Sequence, residues 1–233
     1  MNTPGRDSHG KAESSREHGD FLEALQWTDQ TLLEYQKENN VEGITDILAS
    51  RSITLRHLFE KTGDRTFLII ARHEAMAGVE VARNGNHPSA LVMPLLRLAQ
   101  VQEELSEFGD ALHSYTAAIE TFEKNPPEAH NRPAVLLDMK IRATICAYKN
   151  GDTTGIPKVL SLLAELESSD EWKYNKDVWV SGGYMNLALL LKDSDPEAAK
   201  KHLEKAKTII DGNNELILRK AQWEKLAKTI SLQ

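Results

Sequence analysis

Cysteine occurs once in the 233 residues, at Cys146. A single thiol excludes an internal disulfide framework and a four-cysteine zinc site. Its setting, ATICAY, is apolar, as for a buried and inert thiol. Glycine (13), proline (8) and aromatic residues (6%) are also sparse, which leaves a composition rich in Ala, Leu, Glu and Lys and suited to helix. No apolar run approaches the roughly 20 residues that span a bilayer, so no membrane partner is expected. Lys/Arg runs are missing as well, and with a net charge of −7 and a pI near 5.7 the chain makes a poor neutraliser of phosphate. No nucleic-acid partner is expected. Residues 1–17, MNTPGRDSHGKAESSRE, are polar and hold no apolar segment, which argues against a secretory signal. They read as a disordered tail on a cytoplasmic protein.

Catalytic and metal motifs are missing too. There is no G-x-x-x-x-G-K-[ST] loop, no G-x-G-x-x-G fingerprint and no G-x-S-x-G elbow. His73-Glu74 opens like the zinc-protease H-E-x-x-H, but Ala77 stands where the second ligand is required. Asp152-Thr153-Thr154-Gly155 has the letters of an aspartic-protease motif, yet it falls in a corner between helices. His57 and Glu60 lie one turn apart on an expected helix, and two ligands do not make a metal site. No enzyme activity and no cofactor or metal are expected.

What is present is a period. Small-then-acidic pairs occur at Gly19-Asp20, Gly63-Asp64, Ser106-Glu107, Gly151-Asp152 and Ser194-Asp195, at separations of 43 to 45 residues. Fixed periods between about 20 and 50 residues mark repeat arrays. A small residue tolerates the φ that ends one helix, and an acid suits the positive start of the next. After the corners come one-sided apolar stripes, for example Phe108, Ala111, Leu112, Tyr115, Ala118 and Ile119, with residues three and four apart on one face. Further helices are expected near 42–61, 88–105, 132–149 and 175–192, with a capping helix at about 214–230. Proline at 94 belongs in a first turn; a helix starting as early as Pro88 would be kinked there. Each unit is then a helix A, a tight corner and a helix B. The first corner, HGDFLEALQWTDQTL, is a helix B whose partner is missing, because residues 1–17 are too polar to pack.

Residues 95–118, LLRLAQVQEELSEFGDALHSYTAA, resemble a tetratricopeptide repeat. Leu95, Leu98 and Ala99 match the first helix of its pattern, and Ala111, Tyr115 and Ala118 the second. Gln102 departs from it, standing where an aromatic is usual. Gly19, Asp20, Phe21 and Ala24 resemble a second helix, with Thr28 and Thr31 in place of its later residues, as do Ala199, Leu203 and Ala206, preceded by Leu187 and Ala188. The usual unit is about 34 residues, so these would be long; armadillo or HEAT arrays, at about 40–47, are the structural alternative. The resemblance implies an all-α, right-handed solenoid of about ten antiparallel helices over residues 18–233.

Such an array leaves a groove lined by its A helices, suited to a peptide or helix of another protein. The resemblance implies the same interaction role, as scaffold or adaptor. By register, Leu96, Gln100, Glu103 and Glu104 face the groove in the best unit, and His57, Glu60 and Asn186 are their equivalents elsewhere, each with the alternative of plain solvated surface. The chaperone-tail clamp of the family needs Lys and Asn where Leu96 and Gln100 stand, so Glu103 and Glu104 favour a basic or mixed ligand. Trp172, Tyr174 and Trp179 cluster round a charged loop, either anchoring a partner or covering the end of a hairpin. A structural subunit of a larger assembly, a peptide or small-molecule sensor and an all-α enzyme are the alternatives.

Overall fold

The computed structural model describes residues 3–231. Among them it has eleven α-helices and no strand. Contacts divide the chain into two compact units, Met1–Asn131 and Arg132–Gln233.

The first unit contains α1 (Pro4–Glu17), α2 (Phe21–Lys37), α3 (Val41–Thr62), α4 (Thr66–Asn84), α5 (Val92–Glu104) and α6 (Phe108–Lys124), with 3₁₀ turns at Ser89–Leu91 and Glu128–His130. The second contains α7 (Pro133–Lys149), α8 (Ile156–Ser168), α9 (Lys173–Leu191), α10 (Pro196–Asp211) and α11 (Ile217–Ser231). In both, each helix packs on its neighbour in sequence. The odd-numbered helices also pack on one another: α1 on α3, α3 on α5, α7 on α9 and α9 on α11.

The corners have a backbone reason. Gly19, Gly63, Ser106 and Gly151 all adopt positive φ, at 83°, 75°, 67° and 105°, the conformation that turns the chain out of a helix. The fifth pair differs. Ser194 is not left-handed; Asp195 instead caps α10, its Oδ1 accepting the Ala198 N–H at 3.1 Å. Two further left-handed residues, Asn39 and Asn86, each at φ 53°, turn the chain between hairpins, and the small-then-acidic period does not mark them. Asp152 is explained by its own turn, since Oδ1 accepts from both the hydroxyl (2.6 Å) and N–H (3.1 Å) of Thr154. Those bonds hold its carboxyl below the usual range.

Several positions that carry the tetratricopeptide resemblance are interior ones, though Leu98 is only partly buried and Asp20 is exposed. Ala99, Ala111, Tyr115 and Ala118 are fully buried where α5 meets α6. At the departure, Gln102 accepts a 2.8 Å hydrogen bond from Ser114 on α6, so a polar pair joins the two helices there. α5 begins at Val92, which leaves Pro94 in its first turn and Ser89–Leu91 as a separate 3₁₀ turn. The second unit centres on Ile141, Ile145, Leu163, Leu166, Leu187 and Leu216, and Cys146 is buried as expected.

One expectation is corrected. Residues 4–17, read as a disordered tail, form α1, the missing helix A of the first hairpin. Apolar content was the wrong criterion, because α1 packs through small residues and polar contacts. It buries Gly5, Ser8, His9 and Ala12. Gly5 N–H and the Thr3 hydroxyl both donate to Glu38 at 3.0 Å, Arg16 donates to Ser50 at 2.8 Å, and Lys11 Nζ lies 4.2 Å from the centre of the Trp27 ring.

Candidate functional site

The N-terminal ends of α1, α3 and the 3₁₀ turn before α5 meet the Pro127–His130 segment around an open cleft of about 710 Å³. All its lining residues belong to the first unit. Met93, Ala90, Pro127 and Ala129 give it an apolar side; Arg6, Tyr35, Asn40, Glu42, Thr45, Asp46, Ser89, Glu128 and His130 supply polar groups. Clefts that combine apolar wall with a few convergent polar groups are the usual form of a ligand site.

Two hydrogen-bonded pairs define its chemistry. His130 Nε2 donates to Asp46 Oδ2 at 3.2 Å. Burial pushes the Asp46 carboxyl up, but the charge and hydrogen bond of His130, helped by His9 and Arg97, outweigh it and hold the group well below the usual carboxylate range. Asp46 therefore stays anionic. His9 Nδ1 lies 3.3 Å from the Tyr35 hydroxyl. Burial, then the nearby Asp46 charge, push that phenol up to about 12 against the lowering effect of Arg6, so it is neutral and able to donate at neutral pH. Ser89 donates its hydroxyl to Glu42.

The residues proposed from register lie elsewhere. Leu96 and Gln100 are buried, 2% and 3% exposed, and so do not face a groove. Gln100 Oε1 accepts from Arg56 at 2.8 Å and Arg97 at 3.0 Å. Glu104 pairs with Arg56 (Nε at 2.9 Å), and Glu103 accepts from the Tyr115 hydroxyl at 2.8 Å. The two glutamates are thus engaged inside the first unit, which removes the reason for assigning them a basic ligand. His57 and Glu60 are bonded to each other at 3.0 Å, with the imidazole stacked on Phe21. Asn186 turns back onto the Gly182 carbonyl at 2.9 Å. His73 is exposed on α4, and no group of three or more potential metal ligands occurs among the described residues.

Of the aromatic cluster, Tyr174 and Trp179 pack against the second core, while Trp172 is 76% exposed with the Arg132 guanidinium 5.7 Å from its ring. Sequence reasoning missed the cleft because Arg6, Tyr35, Asp46 and His130 share no spacing. The proline-bracketed His130 was the one local sign.

No family model matches the chain, and no curated protein matches it. Among solved structures the chain is similar to the crystal structure of BtubC (BKLC) from P. vanneervenii. The match has a TM-score of 0.57 and 18% identity, over 86% of this chain and 77% of that one. At that identity the likeness concerns the fold. No described helix is long and apolar enough to cross a membrane.

Proposed function

We propose that this chain is a protein-interaction module in which the helical hairpins of each unit stack as a tetratricopeptide-like solenoid. A peptide or helical segment of a partner protein docks on the face carried by the odd-numbered helices. The reading is supported by the additional packing of odd helices on one another, since the side on which helices approach more closely is the concave side of a curved stack. It is carried chiefly by the cleft, which opens among the first turns of α1 and α3, the 3₁₀ turn before α5 and the Pro127–His130 segment. Its neutral Tyr35, anionic Asp46 and apolar Met93 side suit an extended peptide with mixed polar and apolar contacts.

Rim substitutions test the role without touching the core. Arg6 and Glu128 are exposed at the cleft, so Arg6→Glu with Glu128→Arg inverts its charge pattern. Proteins recovered with the full chain from its native cell should be lost from this double variant and kept by a control, Glu80→Lys on the exposed side of α4. Identical recovery by both variants rejects the cleft as the docking site.

A further inference from the structure

Asp46 is fixed in place but only half used. His130 occupies its Oδ2 at 3.2 Å, whereas Oδ1 accepts no hydrogen bond among the described residues and is not sealed from solvent. The side chain is 19% exposed and lines the cleft. An anionic oxygen so confined gains most from a cationic donor. Glu42 lies four residues earlier on α3 and shares that face. Its Oε1 takes the Ser89 hydroxyl, and Oε2 is likewise open among the described residues. Glu128 adds a third carboxylate from the segment that follows α6. Against these stand Arg6 and His130, so the cleft is net negative whether His130 is charged or neutral. The Tyr35 phenol registers that field, since after burial it is the Asp46 charge that pushes it up.

These acids line one cleft of about 710 Å³ that Met93, Ala90 and Pro127 also line with apolar surface. Apolar wall beside unspent negative charge matches a side chain with an apolar stem and a cationic tip. We propose that the cleft takes a lysine side chain of the partner peptide, its ammonium donating to Asp46 Oδ1 and Glu42 Oε2 and its four-carbon stem lying along Met93 and Ala90. Lysine fits better than arginine. A guanidinium gains its advantage by donating in parallel to both oxygens of one carboxylate. At Asp46 one oxygen is taken by His130, and at Glu42 one is taken by Ser89. An ammonium is a point charge with three donors, suited to single oxygens from different side chains. This assignment rests on the reading of the cleft as a peptide-docking site and names what that site recognises.

Amide shifts of the full chain, followed by NMR during titration with the end-blocked pentapeptide Ala-Ala-Lys-Ala-Ala, test the assignment. The shifts should map to the first turns of α3, to Ser89–Met93 and to Glu128–His130. Affinity should exceed by at least about tenfold that of the norleucine peptide, which keeps the stem without the charge. The arginine peptide should bind at least about threefold more weakly than the lysine one. n-Butylamine, the lysine tip without a peptide, should bind more weakly as well. Asp46→Asn, whose amide oxygen can still accept from His130, and Glu42→Gln should each lower lysine-peptide affinity at least about fivefold. Glu80→Gln on the exposed side of α4 removes the same charge outside the cleft and should leave affinity unchanged. Absence of binding, shifts outside the cleft, equal binding of the lysine and norleucine peptides, or a Glu80→Gln effect as large as that of the cleft variants overturns the proposal. If Asp46→Asn does not fold, an unchanged affinity in Glu42→Gln overturns it alone. Arginine binding as tightly as lysine overturns the choice of lysine, and butylamine binding as tightly as the peptide overturns a peptide as occupant. Partners lost from the cleft-rim variant while lysine and norleucine peptides bind alike reject the lysine and keep the docking role. The reverse pattern rejects the docking role and keeps the lysine site.

Discussion

Replacing Gly43 by alanine should destabilise the first unit, although alanine is the better helix former. Gly43 lies on the first turn of α3, against the same Tyr35 ring that Gly5 meets. A Cβ built there meets Tyr35 Cδ1 and Cγ at 2.7 Å and Cε1 at 2.8 Å. Carbon atoms prefer about 3.5–4.0 Å, so the ring would have to retreat by roughly 1 Å. The ring is 3% exposed and already meets α1 closely at Gly5, so such a shift disturbs its packing. Overpacking of this kind costs about 1–3 kcal/mol. The conformational gain of alanine over glycine is at most about 0.5–1 kcal/mol, so a net loss of about 1–2 kcal/mol is expected. Urea unfolding followed by circular dichroism, with the same substitution repeated in a Tyr35→Leu background, isolates the ring contact as a coupling energy. The smaller, flexible leucine should make Gly43→Ala neutral or stabilising. A wild-type background in which Gly43→Ala stabilises the protein, or an equal loss in both backgrounds, would refute the steric argument.

Other substitutions follow from the same geometry. Ser106→Gly should stabilise by about 0.5–1 kcal/mol, read as a raised urea midpoint, because a residue with a Cβ at φ 67° is strained there. Arg56→Ala should destabilise by about 1–3 kcal/mol in the same assay, since it strips the part-buried Glu104 of its Arg56 donor and leaves the buried Gln100 with Arg97 alone. For Tyr35 the folded state binds the phenolic proton more tightly than the unfolded chain, with a pKa of about 12 against 10.0. Its contribution is complete below pH 10 and is lost as pH climbs toward 12; Tyr35→Phe should show a shallower fall in stability over that window.

Helical character was legible without coordinates, since the 3.6-residue stripes depend on neighbours within one helix. The limits expected for α3, α7 and α9 fall within two residues of those found. The corner period was legible for the same reason, because a left-handed turn constrains the residue that makes it; Gly19, Gly63, Ser106 and Gly151 obey, and Ser194 escapes because Asp195 caps α10 instead. Register along α5 was less informative. Leu96 and Gln100 were placed on a groove by spacing, but which face of a helix meets water depends on what packs against it, here Arg56 reaching from α3 to Gln100 and Glu104.

What the amino-acid order alone determined is the local part: helix, corner, helix, repeated. Tertiary structure decided that polar α1 belongs to the fold, because Tyr35 on α2 and Glu38 just past its end offer a glycine-shaped seat that no hydropathy pattern of α1 itself records. It also assembled the cleft, bringing Arg6, Tyr35, Asp46 and His130 together from positions as much as 124 residues apart in sequence. Periodicity is a property of neighbours along the chain, whereas a site is a property of neighbours in space.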